Sequence, residues 1–291
     1  MRLLAVTVGM AVAVGGLSGC TGGSDEGSRP KGGASTVREA PPTPAASLAS
    51  VTLPPEPGPL VDLIGRQARS AGTMRAEIYT TGGQGGEKID EKTTVQMRTG
   101  VRQPSAQLTI VDANPSDPST TESIITGGVI YTRVDGEEQA PGKPWVRLSR
   151  QDAANPELQP FAKLLTGMIT GIEQTLAQLS NDTGLALVRN GSFKGEPGSE
   201  NLDGVTVRSY SGVTPASAMR KSDPAFEALS RLGLKEVPWR LWVDGKGLPR
   251  KFQVDAAVRG MKTVHVITYD RWGEPLTVQA PPPAKVHTLG G

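Results

Sequence analysis

The chain has 291 residues, with 31 Lys and Arg against 29 Asp and Glu for a formal charge of +2. That near balance argues against a nucleic-acid footprint, which needs Lys and Arg concentrated on one face. A single Cys excludes an internal disulfide, and with only two His the chain lacks the ligands for a Cys/His zinc site.

Aromatic residues are 4% of the chain, so any core must be mainly aliphatic. Gly and Pro together make up about a fifth of it, which predicts many turns and at least one unfolded stretch. Met1-Arg2 precedes an apolar run from Leu3 to Val14. That run is too short to span a bilayer but suits the hydrophobic segment of an export signal. It closes on Leu17-Ser18-Gly19-Cys20, which resembles the lipobox of bacterial lipoproteins. The resemblance implies a signal peptide over residues 1–19, cleavage after Gly19 and a diacylglyceryl thioether on Cys20. Cys20 would then hold the protein to the cytoplasmic membrane on its extracytoplasmic face. Burial contributes about 0.8 kcal/mol per CH₂, and two acyl chains anchor stably where one is marginal.

Residues 21–57 are dominated by Gly, Ser, Thr, Pro and Ala and show neither helical nor strand period. Such a segment buries too little apolar surface to offset its ordering entropy. As a flexible coil it reaches roughly 30–35 Å. Residues 20–57 are therefore read as a lipidated tether, residues 58–283 as one folded domain, and residues 284–291 as a frayed tail beyond Pro281-Pro282-Pro283.

Within the domain, Pro59 opens a helix with Leu60, Leu63, Ile64 and Ala68 on one face and Gly72 as its stop. Alternating strands follow around Met74–Tyr79, Val95–Met97 and Leu108–Ile110, then a hairpin about Gly127-Gly128 and a strand at Trp145–Leu148. Phe161, Leu164, Leu165, Met168, Ile169, Ile172, Leu176 and Leu179 keep helical spacing, with Gly167 and Gly171 as places to bend or break. Asn190-Gly191 and Asp203-Gly204 mark turns, and Asp223-Pro224 reads as the cap and first residue of a short helix ending at Gly233. The chain closes on three antiparallel strands, Trp239–Val243, Lys251–Ala256 and Thr263–Tyr269, the last two separated by Arg259-Gly260. The total is an α+β arrangement.

Catalytic motifs are absent: there is no G-x-S-x-G elbow, no phosphate-binding loop and no H-E-x-x-H. His265 has no Ser or Cys nearby in sequence and is expected at an exposed or edge strand position. A hydrolase would need it beside a carboxylate; Asp244, Asp255 and Asp270 fit turn and surface duties better. No catalytic residue, metal or cofactor is assigned. Trp145, Trp239 and Trp242 fit packing better than ligand contact. The Phe161–Leu179 stripe is a core face first, but its paired glycines and flexible Leu165 and Met168 also suit a groove that adapts to an apolar ligand. Phe161, Leu164, Leu165, Met168, Ile169, Ile172 and Leu176, with strand residues Phe252, Val254, Val264 and Val266, are the candidates for lining it.

The stretch from Pro238 to Lys251 (PWRLWVDGKGLPRK) resembles the strand–turn–strand that opens the closing hairpins of the LppX/LprAFG-type lipoproteins of actinobacteria. Asp270-Arg271-Trp272-Gly273-Glu274-Pro275 and Pro281-Pro282 are similar to the same family's closing segment. The resemblance covers most of residues 58–283 and is weakest over 152–191. It implies the fold of the LolA/LolB lipoprotein carriers: a strongly curved antiparallel sheet, an incomplete barrel with helices on its concave face. It further implies an apolar cavity for lipid or lipoglycan acyl chains and transport or presentation of lipid in the cell envelope, with a transport partner unidentified. The rival expectation is the same fold with a collapsed cavity, acting as a non-catalytic envelope sensor or protein-interaction module.

Overall fold

The computed structural model describes residues 48–84, 87–99, 105–113, 118–179, 185–219, 225–258 and 261–289. The signal segment, Cys20 and the tether as far as residue 47 lie outside the described residues, as does the Asp223-Pro224 helix start. The opening helix α1 (Pro57–Ala71) begins with proline at its first position, where a missing N–H costs nothing. It stops at Gly72, whose left-handed φ of 78° lets its N–H donate to the Ala68 carbonyl. The tether boundary moves back: Val51 N–H donates to the Gly245 carbonyl at 2.8 Å, and Leu53 packs against the core.

Six strands follow: β1 (Thr73–Gln84), β2 (Glu87–Arg98), β3 (Ala106–Asp112), β4 (Ser119–Thr126), β5 (Val129–Val134) and β6 (Trp145–Leu148). They form an antiparallel meander in which each pairs with the next. The helical middle holds α2 (Arg150–Ala153), a 3₁₀ turn at Pro156–Phe161, α3 (Ala162–Leu179) and α4 (Ala186–Arg189). Ser149 caps α2 by accepting from Asp152 N–H, and Arg147 holds the Asp152 carboxylate at 2.9 Å. An Arg150–Glu173 ion pair ties α2 to α3. Helix α3 runs unbroken through Gly167 and Gly171. Beyond it lie β7 (Ser192–Phe193), β8 (Gly198–Leu202), β9 (Val205–Pro215), α5 (Ala216–Met219), α6 (Ala225–Arg231), then β10 (Glu236–Asp244), β11 (Pro249–Val258) and β12 (Met261–Asp270).

Strand β12 pairs with β1, joining the closing hairpins to the opening meander. The result is an open antiparallel sheet running β6-β5-β4-β3-β2-β1-β12-β11-β10-β9-β7, with β8 beside β9. The register shifts between Trp242 and Val243, where β11 carries Arg250 as one extra residue, as at a bulge. The α+β curved-sheet expectation holds. The frayed tail does not: Val286–Thr288 forms β13, parallel to β6, and extends that edge. Three residues are too few to show a period, and the partner edge lies some 140 residues upstream, so local sequence carries no sign of the pairing.

One face of the sheet is apolar and joins α1, α3 and α4 in a single hydrophobic cluster. Cross-strand pairing turns this inner face into rows. The first, Leu148–Ile130–Ile125–Ala106–Met97–Met74, contains no polar residue. Polar groups increase in later rows, with Thr132 and Ser123 in the second and Thr121 and Thr93 in the third, all buried.

Candidate functional site

The fourth row crosses the sheet as Asp112–Glu91–Thr80–His265–Val254–Trp239–Gly212–Phe193. It passes from two carboxylates at one side to aromatic packing at the other. His265 stands in its middle on β12, only 6% exposed, which corrects the expectation of a surface or edge residue. Its Nδ1 lies 3.0 Å from Thr80 Oγ1, while Nε2 is buried with no hydrogen-bonding partner among the described residues. Burial disfavours the imidazolium and lowers the His265 pKa from 6.5 to about 4, so the ring is neutral at neutral pH.

That shift has a sign. The unfolded chain binds more protons than the folded one between pH 6.5 and about 4. Stability is therefore complete above about 6.5, falls as the pH drops, and levels off below about 4. At roughly 1.4 kcal/mol per unit, this group alone accounts for about 3 kcal/mol. We predict that urea midpoints of the parent fall further between pH 7 and pH 4 than those of His265→Leu. Parallel pH curves would show that the ring is charged when folded.

At the aromatic end, Trp239 Nε1–H donates to Thr214 Oγ1 at 2.9 Å, and that hydroxyl donates to the Leu187 carbonyl at 2.5 Å. The indole lies over Gly212, where an added Cβ would come within 2.1 Å of the ring. Phe193 meets both Trp239 edge-on at 6.0 Å and Tyr210 at 5.1 Å. Trp242 points to the opposite face, under the Lys251 ammonium, and Trp145 lies under the Arg133 guanidinium.

The lining candidates separate by face. On α3, Leu165, Ile169, Ile172 and Leu176 are buried and Met168 packs against the core, whereas Phe161 and Leu164 are 45% and 39% exposed. Phe252 and Val254 lie on the inner face, opposite Ile267 and His265. Val264 and Val266 do not: they stand opposite Asp255 and Gln253 on the outer face, where Val266 also faces Tyr79. Both β12 faces carry apolar residues, so alternation alone does not choose between them. The missed signal is the pairing register with β11. Val258 pairs with Met261 and, counting back, Val254 with His265. The face assignment predicts that Val254→Thr costs about 1–3 kcal/mol through an unsatisfied hydroxyl, and that Val266→Thr stays within about 0.5 kcal/mol in denaturant titration.

The carboxylates considered for catalysis have structural partners. Asp244 Oδ1 accepts from the backbone N–H of Lys246 and Leu248, Asp270 pairs with Arg75 at 3.2 Å, and Asp255 accepts from Gln253. No cluster of three His, Cys, Asp or Glu residues occurs among the described residues. No described helix is long and apolar enough to cross a membrane.

No family model and no curated protein matches the chain. Among solved structures, LprF from Mycobacterium bovis matches with a TM-score of 0.50 at 16% identity, over 79% of this chain and 99% of LprF. The chain has the LprF fold. The lipoprotein LppX from Mycobacterium tuberculosis matches at a TM-score of 0.45 and 16% identity, over 76% of this chain and 98% of that one.

Proposed function

We propose that this protein is a membrane-anchored, extracytoplasmic lipoprotein that binds lipid acyl chains between α3 and the inner face of its sheet, without catalysing a reaction. The observation that carries this reading is the inner face itself. It is a broad aliphatic surface under one amphipathic helix, whose buried stripe Leu165, Ile169, Ile172, Leu176 offers γ- and β-branched aliphatic side chains able to repack. The lipobox-like Leu17–Cys20 supports anchoring, and the LprF fold supports the architecture. Two long acyl chains moved from water onto such a surface gain on the order of 10–20 kcal/mol gross. Association costs offset a good part of that. Transport or presentation of lipid or lipoglycan in the envelope is the role that fits an anchored binder on a tether.

Organic extraction of the purified protein, followed by mass spectrometry, tests the reading. A reproducible, near-stoichiometric acyl lipid distinct from the Cys20 modification is expected. No co-purifying lipid, no uptake of a fluorescent fatty acid and a specific protein partner in its place would favour the interaction-module alternative.

A further inference from the structure

The inner face is not uniformly greasy, and its polar groups are all neutral where they are deepest. Thr80 and His265 sit side by side in the fourth row, both buried, flanked by Val254 and by the Ile78–Ile267 pair of the third row. The Thr80–His265 contact at 3.0 Å satisfies only one ring nitrogen, whichever group supplies the proton. If the threonine hydroxyl donates, Nε2 carries a hydrogen with nothing to receive it. If Nδ1 donates, Nε2 is an acceptor with nothing to fill it. A buried polar atom left in this state is costly, and sequences rarely keep one at the centre of an aliphatic face without a use. The charged side chains in the row, Glu91 and Asp112, are both acidic.

We infer that His265 Nε2, positioned by Thr80, is the interior hydrogen-bonding point for an uncharged oxygen of the bound lipid, such as a hydroxyl or an ester carbonyl. This rests on the acyl-chain reading above and adds to it a specificity determinant. The ring serves either type of oxygen: in one tautomer Nε2–H donates to a carbonyl or hydroxyl, and in the other Nε2 accepts from a hydroxyl. The neutral state set by burial removes the charge that would otherwise draw in a carboxylate.

Three pyrene-tagged probes of one chain length test it on the full chain carrying Cys20→Ala: an alkane, the corresponding alcohol and its acetate ester. The parent is expected to bind the alcohol and the ester at least tenfold tighter than the alkane. His265→Leu should abolish that preference while leaving alkane affinity within about twofold, and Thr80→Val should reduce it in the same direction. Ring ¹⁵N resonances of His265 in the parent provide a readout that needs no variant to fold. They should move on adding the alcohol and stay fixed on adding the alkane. Equal affinity for alkane and alcohol, equal loss of all three probes in His265→Leu, or ring resonances unmoved by the alcohol would overturn the inference while leaving acyl-chain binding intact. Failure of every probe to bind would remove the acyl-chain reading and this one with it.

Discussion

Cys20→Ala is expected to abolish incorporation of an acyl label entirely, because no second cysteine exists to take it up. In the parent, metabolic labelling with an alkynyl palmitate should mark a species whose N-terminus is Cys20, with the nineteen preceding residues removed. The effect is all or none because the linkage is a thioether. Ser or Ala at residue 20 offers no sulfur, and a single hydrophobic run of about twelve residues is too short to replace the anchor. Label retained in Cys20→Ala, or a mature N-terminus elsewhere, would remove the lipobox reading and with it the reason to place the domain at a membrane.

Trp239→Ala is expected to cost about 3–5 kcal/mol, which is much of the total stability of an ordinary domain. The loss has three sources: an indole almost wholly buried, its hydrogen bond to Thr214, and its edge contact with Phe193. The Thr214 hydroxyl would keep its bond to Leu187, so the penalty comes mainly from the vacated space. Gly212→Ala attacks the same packing from below by pushing a methyl group into the ring. Overpacking of this kind costs about 1–3 kcal/mol. The two changes share one contact and should not add: once the indole is gone, alanine at 212 has room. Denaturant titration of both single variants and the double variant checks this. Strict additivity would mean that Trp239 and Gly212 do not touch in solution.

The parts of the fold that local chemistry dictates were legible in the sequence. Helix α1 ends at Gly72 as read, though it starts at Pro57, two residues before the Pro59 that the sequence suggests; the Gly127-Gly128 hairpin joins β4 to β5, and regular helical spacing marks α3. The closing hairpins were equally clear, because turn residues at Asp244–Gly247 and Arg259-Gly260 separate strongly alternating segments. What escaped depended on pairing rather than period. Strand β13 binds an edge far away in sequence. Phe161 and Leu164 continue the apolar spacing of α3, but Phe161 lies in the 3₁₀ turn before it and Leu164 in its first turn, and both are exposed. Val264 and Val266 look like core residues by composition, yet the register with β11 turns them outward and brings His265 inward. A histidine in the middle of an aliphatic face violates the simple in-out rule, and local rules tend to fail where a chain has a use for the exception.

The face assignment also defines the most direct test of acyl-chain binding. A fatty acyl probe with a diazirine near its terminal methyl group, loaded into the protein and irradiated, will insert into whatever residues surround the chain. The account predicts adducts on the inner face and the buried stripe of α3, at Phe252, Val254, Ile169 and Ile172, with none on Val264 or Val266. Adducts confined to the outer face or to exposed Phe161 and Leu164, or absence of any specific adduct, would contradict it.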